Sequence, residues 1–163
     1  MQKKINKRDV FNKLLSTLVE NLEVIKKASD SAFEAATHEE SKAEDQYDTR
    51  GLEASYLAGA QSQRLSSLEK TLYDLQNFPV RDFSASEKID LGALVHVNTD
   101  GQKNFLFLLP YGGGTFISVE GKAIAVISPA SPIGSELLGK SVGDVFEVKT
   151  KGHSKEVEIL EIF

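Results

Sequence analysis

The first half of the chain is written with a helical repeat. Phe11, Leu15, Leu18, Leu22, Ile25, Ser29, Ala32 and Ala36 recur at alternating steps of four and three residues. Tyr47, Gly51, Ala54, Ala58, Gln61, Leu65, Leu68, Leu72 and Leu75 repeat the pattern. Such an alternation holds one narrow seam against a partner helix, which is how a coiled coil is encoded. The spacing predicts one arm over residues 10–37 and a second over about 47–76, with residues 1–9 either frayed or forming the first turn. Joined by a short polar link, the arms fold back as an antiparallel hairpin. Large apolar residues fill the seam near the open end, whereas Ser29, Ala32, Ala36, Gly51, Ala54 and Ala58 fill it near the link. Small seam residues let two backbones approach, so the hairpin is expected to narrow toward the link. At about 1.5 Å per residue, arms of roughly 28 residues reach about 40 Å. Gly51 and Gly59 each weaken a helix by roughly 1 kcal/mol; Gly51 has the seam as a reason, Gly59 has none as clear.

Asn77-Phe78-Pro79-Val80-Arg81-Asp82-Phe83-Ser84 breaks the period, because proline cannot continue a helix and its predecessor leaves the helical region. The chain therefore divides into a hairpin over 1–76, a linker over 77–84 and a second domain over 85–163. In that domain Leu94–Asn98 alternates as a strand, and Asp100-Gly101 is a hairpin turn. Asn104–Leu109, Thr115–Val119, Ala123–Ile127, Val145–Val148 and Val157–Ile162 read as further strands, with one short helix capped by Ser131 and led by Pro132. The expected fold is α+β: a coiled-coil hairpin followed by a small antiparallel sheet of five or so strands with one short helix. Gly112-Gly113-Gly114 lacks the Gly-Lys-Ser/Thr ending and the long helix of a phosphate loop, so it reads as a flexible hairpin connection.

Composition narrows the function classes. A net charge of −5 gives no electrostatic basis for nucleic acid as a primary partner. Lys3, Lys4, Lys7, Arg8 and Lys13 nevertheless cluster at the root of the first arm. With no cysteine there is neither a disulfide framework nor a thiolate metal site, as suits a reducing cytoplasm. His38, His96 and His153 have no ligand spacing. The N-terminus leads into an amphipathic helix rather than a signal peptide, and no run approaches the roughly 20 apolar residues needed to span a membrane.

Charge concentrates at the link. Residues 39–48, Glu-Glu-Ser-Lys-Ala-Glu-Asp-Gln-Tyr-Asp, hold five acids and one base. Packing offers no reason to assemble them, because like charges repel. They can equally be a solvated turn, with Glu39 and Glu40 ending one helix and Asp45 or Asp48 capping the next.

Residues 127–148, ISPASPIGSELLGKSVGDVFEV, closely resemble the C-terminal domain of the bacterial transcript cleavage factors GreA and GreB, as does the ending Glu156–Ile162. The order of hairpin, linker and β domain matches too. The resemblance implies an FKBP-like β domain, without isomerase activity, that docks at the rim of the RNA polymerase secondary channel through Ser131 and Pro132. It implies that the hairpin tip enters the channel, where Glu40 and Glu44, with Asp45 beside them, help hold a catalytic Mg²⁺. The polymerase then hydrolyses its own backtracked RNA at the 3′ end, so the factor lends ligands without itself being an enzyme or carrying a cofactor alone. The family tip runs Gly-Asp-Leu-x-Glu-Asn-x-Glu-Tyr. With its tyrosine on Tyr47, Glu40 falls at the first key acid and Ala43 at the second, with Glu44 one position later. A one-residue step on a helix turns a side chain by about 100°.

Two readings follow from that departure: a cleavage-stimulating factor, and a secondary-channel regulator that does not cleave. The expected state is a cytoplasmic monomer with no membrane partner. An enzyme reading, a peptidyl-prolyl isomerase, would need an aromatic-lined pocket, for which the domain offers only scattered Phe105, Phe107, Tyr111, Phe116 and Phe146. A structural reading, a coiled coil that dimerises through its hairpin, would show in the hydrodynamic mass.

Overall fold

The structure, a computed structural model, describes residues 5–37, 49–150 and 152–163. It divides into two compact units, Met1–Leu15 with Leu75–Phe163, and Ser16–Asp74.

The Ser16–Asp74 unit holds most of two long helices, α1 (Lys7–Thr37) and α2 (Arg50–Gln76). Its burial follows the 4-3 repeat. Leu18, Ser29, Ala32 and Leu72 are buried, Leu22, Ile25, Gly51, Ala54, Ala58, Gln61, Leu65 and Leu68 are half-buried, and most positions between them are exposed. The Ser29 and Ser62 hydroxyls lie 3.4 Å apart across the two helices, an approach that side chains this small permit. Gly51 is half-buried on the seam. Gly59 is exposed, and a Cβ there would meet no atom within 4 Å, so no packing contact requires it. Large apolar residues are displaced outward instead: Phe33, Leu52, Tyr56 and Leu57 are all more than half exposed.

The other unit begins at the root of α1. Asn6 caps this helix, its Oδ1 accepting from Arg8 N at 2.9 Å and Asp9 N at 3.4 Å. Ile5 and Val10 occupy the flanking staple positions, and both are buried. Lys7 to Asp9 thus form the first turn, the second of the two readings of this stretch, because cap and staple fix it. Lys7, expected in a surface basic cluster, is 4% exposed. Its ammonium donates to the main-chain oxygens of Arg81, Gly92 (3.2 Å) and Phe163 (2.8 Å). It also lies 4.7 Å from the centroid of the Phe83 ring, which Arg81 stacks upon at 3.8 Å.

Six strands follow: β1 (Leu94–Thr99), β2 (Gln102–Leu108), β3 (Phe116–Val119), β4 (Lys122–Ile127), β5 (Val145–Thr150) and β6 (His153–Ile162), with α3 (Pro132–Leu137) between β4 and β5. They form one sheet in the order β3-β4-β2-β1-β6-β5. Asp100 and Gly101 both take positive φ, as the predicted β1–β2 turn demands, and Glu120 and Gly121 do the same between β3 and β4.

The sheet is mixed rather than wholly antiparallel: β2 and β4 pair in parallel, Phe105 against Ile124 through Leu108 against Ile127. The triple glycine is accordingly not a hairpin connection. It carries the chain from β2 past one vacant sheet position to β3 at the edge, and β4 returns into the gap. Gly112 and Gly114, at φ of 76° and 90°, supply conformations that side chains rarely adopt.

Each sheet face has its own cover. Val95, Val97, Leu106, Leu108, Val157 and Ile159 pack with Phe146, Val148 and Leu137 of α3 in one cluster. The alternate positions Leu94, Phe107, Ile124 and Val126 are buried too, and the Phe107 ring meets Phe11 of α1 edge-on at 6.2 Å. One face therefore takes α3 and the other takes the root of α1.

Candidate functional site

The predicted docking residues sit where β4 turns into α3. Ser131 is the α3 N-cap: its hydroxyl donates to the Ser128 carbonyl at 2.7 Å and accepts from Gly134 N at 3.1 Å. Ser131 N also donates to Ser128 O at 3.0 Å, and Ser135 N to Ser131 O at 2.9 Å. Pro132 opens the helix, where a missing N–H costs nothing, and is exposed along with Ala130. The structure thus brings Ser131 and Pro132 together but gives them different work. The serine hydroxyl ties the loop to itself, whereas the proline ring faces out.

Gly134 closes the arrangement. A Cβ at this position would stand 2.0 Å from the Ser128 carbonyl oxygen, a distance no side chain tolerates. Sequence reading passed over this residue, although a glycine two places after a helix-opening proline is the signal that could have found it. The following motif is structural as well. Gly139 and Gly143 take positive φ, Gly139 N donates to Ile89 O at 2.8 Å, and Asp144 accepts from Ser141 N at 2.8 Å. Leu138, Val142 and Val145 remain exposed along the same stretch, leaving apolar surface beside the loop.

Glu40, Glu44 and Asp45, with Ala43, lie outside the described residues. They fall in the sequence between the end of α1 at Thr37 and the start of α2 at Arg50. Thr49 bonds the first turn of α2, its carbonyl accepting from Glu53 N and its hydroxyl donating to the Glu53 carboxylate, both at 2.9 Å. Among the described residues no group of three or more His, Asp or Glu side chains could hold a metal ion, and no helix is long and apolar enough to cross a membrane.

The five aromatics that an isomerase site would need do not converge. Phe107 is buried against α1, Phe146 belongs to the opposite face, Phe116 is 75% exposed, and of the five only Phe105 lines the cleft bordered by Ile5, His96, Lys103 and Phe163.

Residues 85–163 match the family model described as the C-terminal domain of the transcription elongation factors GreA and GreB. The transcription elongation factor GreA of Helicobacter acinonychis is 31% identical over 121 residues, covering 68% of this chain and 67% of its own. That of Thioalkalivibrio sulfidiphilus is 29% identical over 129 residues, covering 79% and 77%. Similar solved structures include the GreA factor homolog Gfh1 of Thermus thermophilus, at 22% identity, 91% and 94% coverage and a TM-score of 0.37. Gfh1 of Thermus aquaticus is 24% identical, with 90% and 92% coverage and a TM-score of 0.38. The chain belongs to the GreA/GreB family, and is a transcription elongation factor of that type.

Proposed function

We propose that this chain acts on RNA polymerase through the enzyme's secondary channel, as a cytoplasmic monomer. The sheet unit is the docking part, with Pro132 in contact and Ser131 setting the loop. The hairpin is the delivery part, presenting Glu40, Glu44 and Asp45 to the polymerase active site. The observation that carries this reading is the burial of the small residues Ser29 and Ala32, with Ala54 and Ala58 half-buried, on the seam of the two helices that flank the acidic residues in sequence. The outward Phe33, Leu52, Tyr56 and Leu57 offer such an arm apolar purchase on surrounding protein.

Carboxylates are hard oxygen donors that suit Mg²⁺, which takes one or two of them and keeps several waters. Glu40 and Glu44 would hold it within the polymerase complex, where the metal supplies an activated water for hydrolysis of backtracked RNA. The chain's own tasks are to dock, to carry the two carboxylates and to exclude bulk solvent around them. Ala43 at the family's second acid position favours a second reading, a channel-occupying regulator that does not cleave.

Backtracked elongation complexes separate the two. RNA cleavage with wild-type protein and Mg²⁺ is compared with Glu40→Ala/Glu44→Ala while polymerase binding is followed in parallel. Cleavage lost with binding retained is the expected result. Binding without cleavage by the wild type identifies the regulator, and absence of polymerase binding overturns both.

A further inference from the structure

The sheet face opposite α3 carries a half-open cleft of about 1060 Å³, at the upper end of small-ligand pockets, which run to roughly 1,000 Å³. His96 of β1 stands between Phe105 of β2 and Glu161 of β6 in the strand register. The His96 and Phe105 rings are parallel within 4° and 4.4 Å apart, and Lys122 Nζ lies 5.4 Å from the Phe105 centroid. Val97 pairs with Ile159 and His96 with Glu161, so Leu160 is an extra residue bulged against β1. Leu160 lines the cleft together with Ile5, Phe105 and Phe163.

The charges are asymmetric. Lys103 and Lys122 border the cleft on the β2–β4 side and Glu161 on the β6 side, with Glu120 in the β3–β4 turn. Two cations and two carboxylates leave no net charge, which opposes a polyanion yet leaves one end suited to a single negative group. Burial holds the His96 imidazole below its usual range, with Lys103 and Lys122 pushing the same way and Glu161 opposing. It is therefore neutral at pH 7 and can donate or accept a hydrogen bond.

We infer that this cleft binds a small aromatic monoanion, its carboxylate held by Lys103 and Lys122 and its ring packed against Leu160 and Phe163. Neutral His96, stacked on Phe105, lines the same cleft. Nothing in this inference depends on how the chain engages polymerase.

The test is NMR titration of the full chain with phenylpropionate, with phenylpropanol as the uncharged analogue and ATP as a polyanion. Saturable shifts at His96, Lys103, Phe105 and Glu161 are expected, with the His96 titration moving upward as the carboxylate binds. Lys103→Gln/Lys122→Gln removes both charges while keeping the first two methylenes of each stem and should weaken binding about tenfold or more, as should replacing the acid by the alcohol. Equal binding of the alcohol would make the cleft a mere apolar patch. Tighter binding of ATP would make it a polyanion site, and absence of saturable shifts with the carboxylate would remove the site altogether.

Discussion

Lys7 poses a contest between two opposing effects, and Lys7→Met decides it. Burial draws the Lys7 ammonium from 10.5 down to about 8, helped by Arg81 and resisted by Asp82 and Glu87. That difference corresponds to roughly 3 kcal/mol of disfavour for the charged form inside the fold. Against it stand three carbonyl oxygens that use all three of its N–H groups. Methionine keeps the unbranched stem but strands those oxygens. The bond to Gly92 is buried and worth about 2 kcal/mol; those to Arg81 and Phe163 are part-buried and worth about 1 kcal/mol each. A loss of roughly 4 kcal/mol set against roughly 3 regained leaves the variant about 1 kcal/mol less stable at pH 7. The folded-state pKa lies below the unfolded one, so the penalty is complete below pH 8. It fades as pH rises toward 10.5, where the unfolded chain still holds a proton the folded one has released. Wild-type stability should therefore climb relative to the variant across that window, widening the gap to about 3 kcal/mol, because the neutral amine keeps two of its three N–H donors. Urea unfolding followed by circular dichroism at steps between pH 7 and 10.5 reads it directly. A gap that narrows instead would show that the three carbonyls hold the ammonium more tightly than burial repels it, and the argument would fail.

Three further outcomes follow from single positions. Gly59→Ala should raise stability by about 1 kcal/mol, since the site is exposed, mid-helix and open to a Cβ; an unchanged thermal midpoint would count against this. Gly134→Ala should cost about 3 kcal/mol and move the amide resonances of Ser128 through Leu138, because a Cβ 2.0 Å from a carbonyl oxygen cannot be accommodated without shifting that loop. Ser131→Ala should lose about 1 kcal/mol of stability with the α3 cap, whereas Pro132→Ala should weaken polymerase binding with little effect on unfolding.

The two arms were legible because a 4-3 repeat marks one seam on each, and the burial of Ser29 and Ala32 and half-burial of Ala54 and Ala58 follow that repeat residue by residue. The strands were legible where turn chemistry flanks them, as at Asp100-Gly101. The parallel pairing of β2 with β4 was not, because local alternation says which residues share a face and nothing about which strand lies alongside. The burial of Lys7 was not legible for a related reason. A lysine before an amphipathic helix is ordinarily a surface charge, and its acceptors, Arg81, Gly92 and Phe163, lie 74, 85 and 156 positions away. The start of α1 could have been placed from Ile5, Asn6 and Val10, since staple and cap are local signals. The cleft around His96 depends on a register shift at Leu160 that no sequence pattern announces.

The division of labour around Ser131 bears on how the proposed docking loop would be recognised. Its hydroxyl gives its one hydrogen to Ser128 O and accepts from Gly134 N, leaving a single lone pair uncommitted. A hydroxyl so occupied contributes little direct bonding to a partner. What the loop exposes is Ala130 and Pro132, flanked by Leu138 and Val142, which is shape and apolar area rather than a pattern of donors. Recognition of that sort depends on the surface being set before contact, because ordering a loop on binding subtracts from affinity. The bonds of Ser131 to Ser128 and Gly134, and the close fit at Gly134, already order this loop in the free protein. The residues that matter most for docking are therefore expected to divide into those that touch the partner and those that hold the touching residues still, and Ser131 belongs with the second.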